Sequence, residues 1–280
     1  LPLSKITPAD RTLADGYGNS ADRAALLYAM LRATGFRPEF ILASWAPLEK
    51  NLQETVLDKP AASLFPAVLV RVHSDRRQVY LNDTNQYDML GTTSHDRRPG
   101  LNLRTGRIEA IMPAEDMHNR SRAQYDLRIH ADGSAHMSQA SLSYGAAYGA
   151  RNRYFSELPP EERRRYHQRI VAAVSQSAEP DGDLVTRFAE YPGVEQFAVH
   201  IRNYAVQDGD YLYFTLPTSL RGVLGLRSDK RKNPFYRPAY GDAETTLRIE
   251  LPEGFRRVAL SPGSSMWRLP HDAGIVEVTQ

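Results

Sequence analysis

The sequence predicts an α+β chain in two parts, and three observations carry that prediction. One helical stretch near the start feeds a run of short apolar segments. After Met117 the pattern turns to strict alternation around tight turns. A second helical stretch, near residues 159–177, interrupts that alternation. Alternation of period two marks strands, and spacings of three and four mark helices.

The first helix opens at Ser20, a residue type that caps helix N-termini, with Asp22 in the first turn where the helix dipole favours a carboxylate. Ala24, Leu27, Tyr28 and Leu31 follow at i, i+3, i+4 and i+7, and Gly35 supplies the stop. Phe40–Ala43 reads as a short buried strand, and Trp45–Pro60 as a long polar loop. Ala67–Val72 and Gln78–Leu81 read as two strands of a hairpin, with 73–77 between them. Gly91–Leu103, rich in Gly, Arg and Pro, reads as loop, and Ile108–Met112 as a further strand.

In the second part, Tyr125–His130 and Ala135–Tyr144 alternate on either side of Asp132-Gly133, a hairpin signature. Pro159 and Pro160, followed by Glu161 and Glu162, open a helix with Tyr166, Ile170 and Val174 as its apolar stripe. Gln196–Tyr204, Tyr211–Leu216, Thr245–Leu251, Arg257–Leu260 and Ile275–Val278 read as strands. The expectation is a first domain over 1–117 and a β-sandwich-like second domain over 118–280 with one inserted helix.

Composition narrows the function classes. The chain has 280 residues, 24% charged and 41% apolar, an ordinary globular mix. A formal net charge of +2, with arginine spread along the chain, argues against nucleic acid as a partner. There is no cysteine, so disulfides, zinc-thiolate sites and a thiol nucleophile are excluded. No stretch reaches the roughly 18 consecutive apolar residues of a membrane helix, so no transmembrane segment is expected in this chain. The start at Leu1, without Met, reads as a mature or truncated piece of a longer precursor.

The stretch from Gly16-Tyr17-Gly18-Asn19-Ser20-Ala21-Asp22 through Leu26-Leu27 to Leu31-Arg32-Ala33-Thr34-Gly35-Phe36 resembles the helix-opening motif of bacterial transglutaminase-like proteins, which are papain-like thiol enzymes. That motif reads Tyr-Gly-Asp-Cys-Lys-Asp-Lys-Ala, then Leu-Leu and later Leu-Arg-Ala-x-Gly. Arg37–Leu42 is similar to the strand that follows it. The resemblance implies a transglutaminase-like domain followed by the β-rich domain of cell-envelope members, and a periplasmic or extracytoplasmic location. It also implies a Cys nucleophile at the helix start, a His base on the next strand and an orienting Asp on the strand after it. The helix N-terminus and the imidazole together make the thiolate reactive.

In this chain those three positions read Ser20, Ala67 within Phe65-Pro66-Ala67-Val68, and Asn82 within Leu81-Asn82-Asp83-Thr84. A one-residue shift puts Asp83 in the third role, but no small shift brings a His to Ala67. Without a base, a serine hydroxyl is a poor nucleophile. The expectation is therefore a non-catalytic module that binds a peptide, glycan or protein, with Tyr17, Asn19, Ser20 and Trp45 as candidate ligand-binding residues. No cofactor and no metal are expected. Two alternatives stay open: a serine-dependent hydrolase or acyltransferase using Ser20, and an architectural spacer.

Other groups read as structural. His73 and His95 flank the cleft region and read as exposed loop histidines. Asp15, Asn19, Asp22, Asn82, Asp83, Asp88 and Asp96 offer oxygen ligands but read as caps and turns. The basic and aromatic run Arg221–Arg237 reads as a surface loop, and Glu161–Arg165 as a solvated, internally paired helix face.

Overall fold

The computed structural model describes residues 6–47, 50–59, 61–74, 77–81, 85–218, 242–255, 259, 263–268 and 275–279. The first half contains α1 (Ala9–Asp15), α2 (Ser20–Ala33), β1 (Glu39–Ala43), α3 (Lys50–Leu57), β2 (Ala67–Ser74), β3 (Arg77–Leu81), β4 (Pro99–Asn102) and β5 (Arg107–Ala110). Its five strands form one antiparallel sheet in the order β3-β2-β1-β4-β5. Ile41 lies opposite Leu69 on one side and Asn102 on the other.

The pleat divides this sheet into two faces. Leu42, Val68 and Val70 pack under Ala24 of α2, with Ala21, Tyr28 and Leu31 completing the contact. Tyr28 stacks on Phe40 with ring centroids 4.3 Å apart. The short connection from Ala33 to Glu39, with Tyr28 of α2 stacked on Phe40 at the start of β1, turns the chain back so that α2 runs antiparallel to β1. Its N-terminus therefore lies toward the sheet end where β1 finishes and β2 begins. The other face buries Ile41, Ala43, Leu69, Tyr80 and Ile111.

On that second face Arg71 lies directly across from Glu39. The Arg71 guanidinium donates from Nε to Glu39 at 3.0 Å and pairs also with Glu109. Arg104 pairs with the same Glu39, and Asn102 donates to it at 3.3 Å. Burial works to raise the Glu39 carboxyl, but the hydrogen bonds from Arg71 and Arg104 outweigh it and hold the group below its ordinary value.

Two stretches expected as loop contain regular structure. The segment 45–60 includes α3, which turns Leu57 onto the first core. The segment 91–103 includes β4, whose Gly and Pro disguised a strand. Pro99 stands at the strand's first position, and Gly100 sits where a Cβ would meet Ile41 Cγ2 at 2.6 Å and Ile111 Cγ1 at 2.9 Å. Close packing, rather than a turn, explains that glycine.

The second half contains β6 (Arg120–Ile129), β7 (Ala135–Ser143), α4 (Ala146–Glu157), α5 (Pro160–Val174), β8 (Ala178–Pro180), β9 (Val185–Arg187), β10 (Gly193–Ile201), β11 (Ala205–Asp208), β12 (Tyr211–Phe214), β13 (Asp242–Glu250), β14 (Ser265–Arg268) and β15 (Ile275–Val278). The main sheet has the order β13-β6-β7-β10-β8, with β9 also paired to β10. β13 joins β6 in parallel, Leu247 opposite Tyr125. Leu127, Ile129, Met137, Phe197, Val199 and Ile201 face Phe155 of α4 and Tyr166 and Val171 of α5.

This arrangement corrects the expected sandwich with one inserted helix. The layer over the main sheet is built by two helices, joined by Leu212 and Phe214 of the β11–β12 ribbon. The helix α4 escaped the pattern because its apolar positions, Tyr148, Phe155 and the close-packed Gly149, form only a short, broken stripe. The strand expected at 257–260 falls almost wholly outside the described residues, and so does the basic run 221–237.

Candidate functional site

The start of α2 is built around Asn19 rather than Ser20. Asn19 is the N-cap, and its side-chain oxygen accepts from the backbone N–H groups of Ala21 at 2.8 Å and Asp22 at 3.1 Å. The Asp22 carboxylate returns the contact, accepting from Asn19 N–H at 2.9 Å. This reciprocal capping box satisfies donors that a helix leaves orphaned. Asp22 also accepts from Thr7 N–H at 2.7 Å, tying the preceding segment to the helix. The Thr7 and Asn19 amides hold the Asp22 carboxyl below the usual range, against a smaller effect of burial.

The expectation that Ser20 is the cap is corrected on this geometry. Asn19 has the extended backbone of a cap, whereas Ser20 is the first helical residue and is exposed. Tyr17 precedes it on the surface at 78% exposure.

Ala67 begins β2, toward the sheet end that receives the α2 N-terminus. Its side chain packs with Ile41, Ala43, Leu69, Tyr80 and Ile111, on the face away from α2. The face toward α2 carries Val68. The family's base position therefore offers a methyl group pointing to the far side of the sheet. Asn82 and Asp83 lie outside the described residues.

The chain leaves β1 through Ser44 and Trp45. Trp45 is 52% exposed, yet its indole is held from within. The His95 ring lies against it at 4.4 Å, and the Arg98 guanidinium carbon lies 4.7 Å over it. Arg98 also donates to Ala46 O at 3.0 Å, which fixes the guanidinium beside the ring. A cation over an indole face is attracted by the ring quadrupole. His95 is thus buried, correcting its reading as an exposed loop residue; its ring packs at a tilt against Trp45 on one side. His73 is exposed on β2.

Asp96, one residue further, is 2% exposed and turns inward. Its Oδ1 stands 2.7 Å from His118 Nδ1, and its Oδ2 accepts from Asn119 N–H at 2.7 Å. Asn119 Oδ1 accepts from Ala146 N–H at 2.7 Å, at the start of α4. Nearby, Tyr191 receives Gly145 N–H at 3.0 Å and donates to Asp116 O at 3.1 Å. Asn152 of α4 donates to Tyr87 O at 2.9 Å. These bonds join the loop before β4 to the second half.

The acidic and amide residues grouped by sequence thus separate into different tasks. Asp22 and Asn19 cap α2, Asp88 accepts from Asn85 at 2.9 Å, Asp96 holds His118, and Asp15 lies 3.5 Å from Arg11. As placed, no three His, Asp or Glu side chains among the described residues converge as a metal-holding group.

Of the four candidate ligand-binding residues, Tyr17, Asn19 and Ser20 lie together before and in the first turn of α2, and Trp45 follows the strand to which α2 is antiparallel. Sequence reasoning missed Arg98 and His118. Neither sits in a motif; Arg98 acquires its role through a contact with Trp45 and His118 through one with Asp96, both far off in the chain. No family model, curated protein or solved structure matches the chain. No described helix is long and apolar enough to cross a membrane.

Proposed function

We propose that this chain is a non-catalytic, transglutaminase-like module of a periplasmic or extracytoplasmic cell-envelope protein, which binds a peptide, glycan or protein partner at the sheet end carrying Trp45. The observation that carries the reading is the mismatch at the inherited positions. Ser20 begins a helix whose cap is supplied by Asn19 and Asp22, and the Ala67 methyl packs on the opposite sheet face. A base in reach of the hydroxyl contributes on the order of 10²–10⁴-fold in rate. His73, His95 and His118 have other settings: His73 is exposed on β2, His95 packs at a tilt against Trp45 and His118 is held by Asp96.

Binding rests on Trp45. An indole fixed by Arg98 and His95, and still half exposed, loses little freedom when a sugar ring or a peptide side chain packs on its open part. The test is a titration of the full chain with cell-wall muropeptides, chito-oligosaccharides and short peptides, followed by tryptophan fluorescence and thermal shift. Saturable binding that Trp45→Ala abolishes and Ser20→Ala leaves intact is the expected result. An acyl-transfer or hydrolase activity that disappears in Ser20→Ala would overturn the reading in favour of a serine enzyme.

A further inference from the structure

The main sheet of the second half has one face covered by α4 and α5 and one turned away from them. Two of the chain's eight histidines, His136 and His200, lie on that second face, and a third, His130, follows the end of β6 at the same corner. His136 stands between buried Ala135 and Met137, and His200 between buried Val199 and Ile201. His130 follows buried Ile129. Alternation along a strand therefore sends the His136 and His200 imidazoles to the side away from the core, and His130 stands just past the end of β6.

The register brings them together. His136 of β7 lies directly opposite His200 of β10. Ile129 pairs with Ala135, and His130 N–H donates to Ser134 O at 2.8 Å, so His130 is the diagonal neighbour of His136. Directly opposed residues hold their Cβ atoms about 4.5–5.5 Å apart, within reach of two imidazoles sharing one ligand. Asp181 N–H donates to Ala198 O at 2.9 Å, which anchors that residue beside β10. Its carboxylate oxygen then stands 2.7 Å from His136 Nε2. Neighbouring arginines are already paired: Arg128 lies 2.8 Å from Glu250, and Arg202 pairs with Glu179. Their charge opposes a bound cation less than free guanidinium groups would.

We propose that His136 and His200, with Asp181 orienting His136 and His130 alongside, form a surface site for a late first-row divalent cation such as Zn²⁺, Ni²⁺ or Cu²⁺. Imidazole is the ligand type those ions take most readily, and a ligating His commonly gives its second ring nitrogen to a carboxylate that sets its orientation. Asp181 occupies Nε2 of His136, leaving Nδ1 as the metal-facing atom. The groups do not converge as placed. His200 is exposed and directly opposite His136, so the site requires its ring to turn toward that of His136.

The experiment is calorimetric titration of the full chain with ZnCl₂ and NiCl₂ near neutral pH. One saturable site is expected. His136→Gln and His200→Gln each weaken it ~10-fold or more, Asp181→Asn weakens it by a similar factor, and His73→Gln leaves it unchanged. Far-UV circular dichroism confirms that each variant keeps its fold. Sub-stoichiometric Cu²⁺ broadens the ring signals of His136 and His200 first in an NMR spectrum. Absence of saturable binding at neutral pH, or binding indifferent to both glutamine variants, overturns the proposal and leaves His136 and Asp181 as a surface ion pair.

Discussion

Asp96 Oδ1 and His118 Nδ1 stand 2.7 Å apart, and both side chains are buried where the loop before β4 meets the start of the second half. Asp96 also accepts Asn119 N–H, so one carboxylate serves two donors on the following segment. Removing one partner of such a buried pair strands the other. His118→Ala is expected to destabilise the chain by roughly 2–3 kcal/mol, more than either an exposed ion pair or an exposed histidine would. Urea unfolding of His118→Ala against His73→Ala measures it; equal midpoints would show that the contact contributes nothing.

The cap assignment separates two adjacent residues. Asn19→Ala removes the oxygen that accepts from Ala21 and Asp22, and is expected to cost ~1 kcal/mol. Ser20→Ala, at an exposed first helical position, is expected to stay within about 0.5 kcal/mol of the parent. Thermal melts of both variants test this ordering. A larger loss for Ser20→Ala would return the capping role to the serine.

Glu39 makes stability depend on acid. Its carboxyl is held below the ordinary 4.5 by Arg71 and Arg104, against the opposing pull of burial. The folded chain therefore keeps Glu39 ionised at a pH where the unfolded chain has protonated it. That stabilisation is complete above about pH 4.5 and is lost as pH falls through the lower, folded value. Glu39→Gln should be less stable than the parent by roughly 2–3 kcal/mol at neutral pH. The gap should narrow as pH drops below that range. Denaturant midpoints of parent and variant over a pH series check the sign, and a gap that widens in acid would contradict it.

The elements legible in the sequence are those whose signals are local. The α2 stripe, the β6–β7 hairpin around Asp132-Gly133 and the Pro160 start of α5 each need only neighbours a few residues away. What escaped depends on partners distant in the chain. β4 is a strand because β1 and β5 flank it, although Pro99 and Gly100 argue for loop when read alone. α4 has a broken stripe, and the parallel closure of β13 on β6 joins segments with no sequence signal between them. At the site, the motif drew attention to Ser20, but the cap at Asn19 depends on backbone angles. Parity assigned Ala67 no side of the sheet until α2 had chosen one.

Gly149 gives the sharpest test of how the two halves meet. It lies on α4, and a Cβ built there would stand 1.5 Å from Asp88 Oδ1 and 2.9 Å from Asn85 Nδ2. Asp88 is itself held by Asn85 at 2.9 Å, and Asn152, one turn along α4, donates to Tyr87 O at 2.9 Å. The loop 85–88 is therefore braced internally and tied to the helix one turn from the contact. In a free helix, glycine to alanine stabilises by as much as ~1 kcal/mol. Here the added methyl has no space, and overpacking costs about 1–3 kcal/mol. Gly149→Ala is expected to lower stability despite its better helix propensity, and to raise hydrogen exchange in both 85–88 and 146–152. Gly149→Ala combined with Asp88→Ala, which clears the nearest clash, should recover part of the loss. If Gly149→Ala alone were stabilising, the loop would not lie against α4.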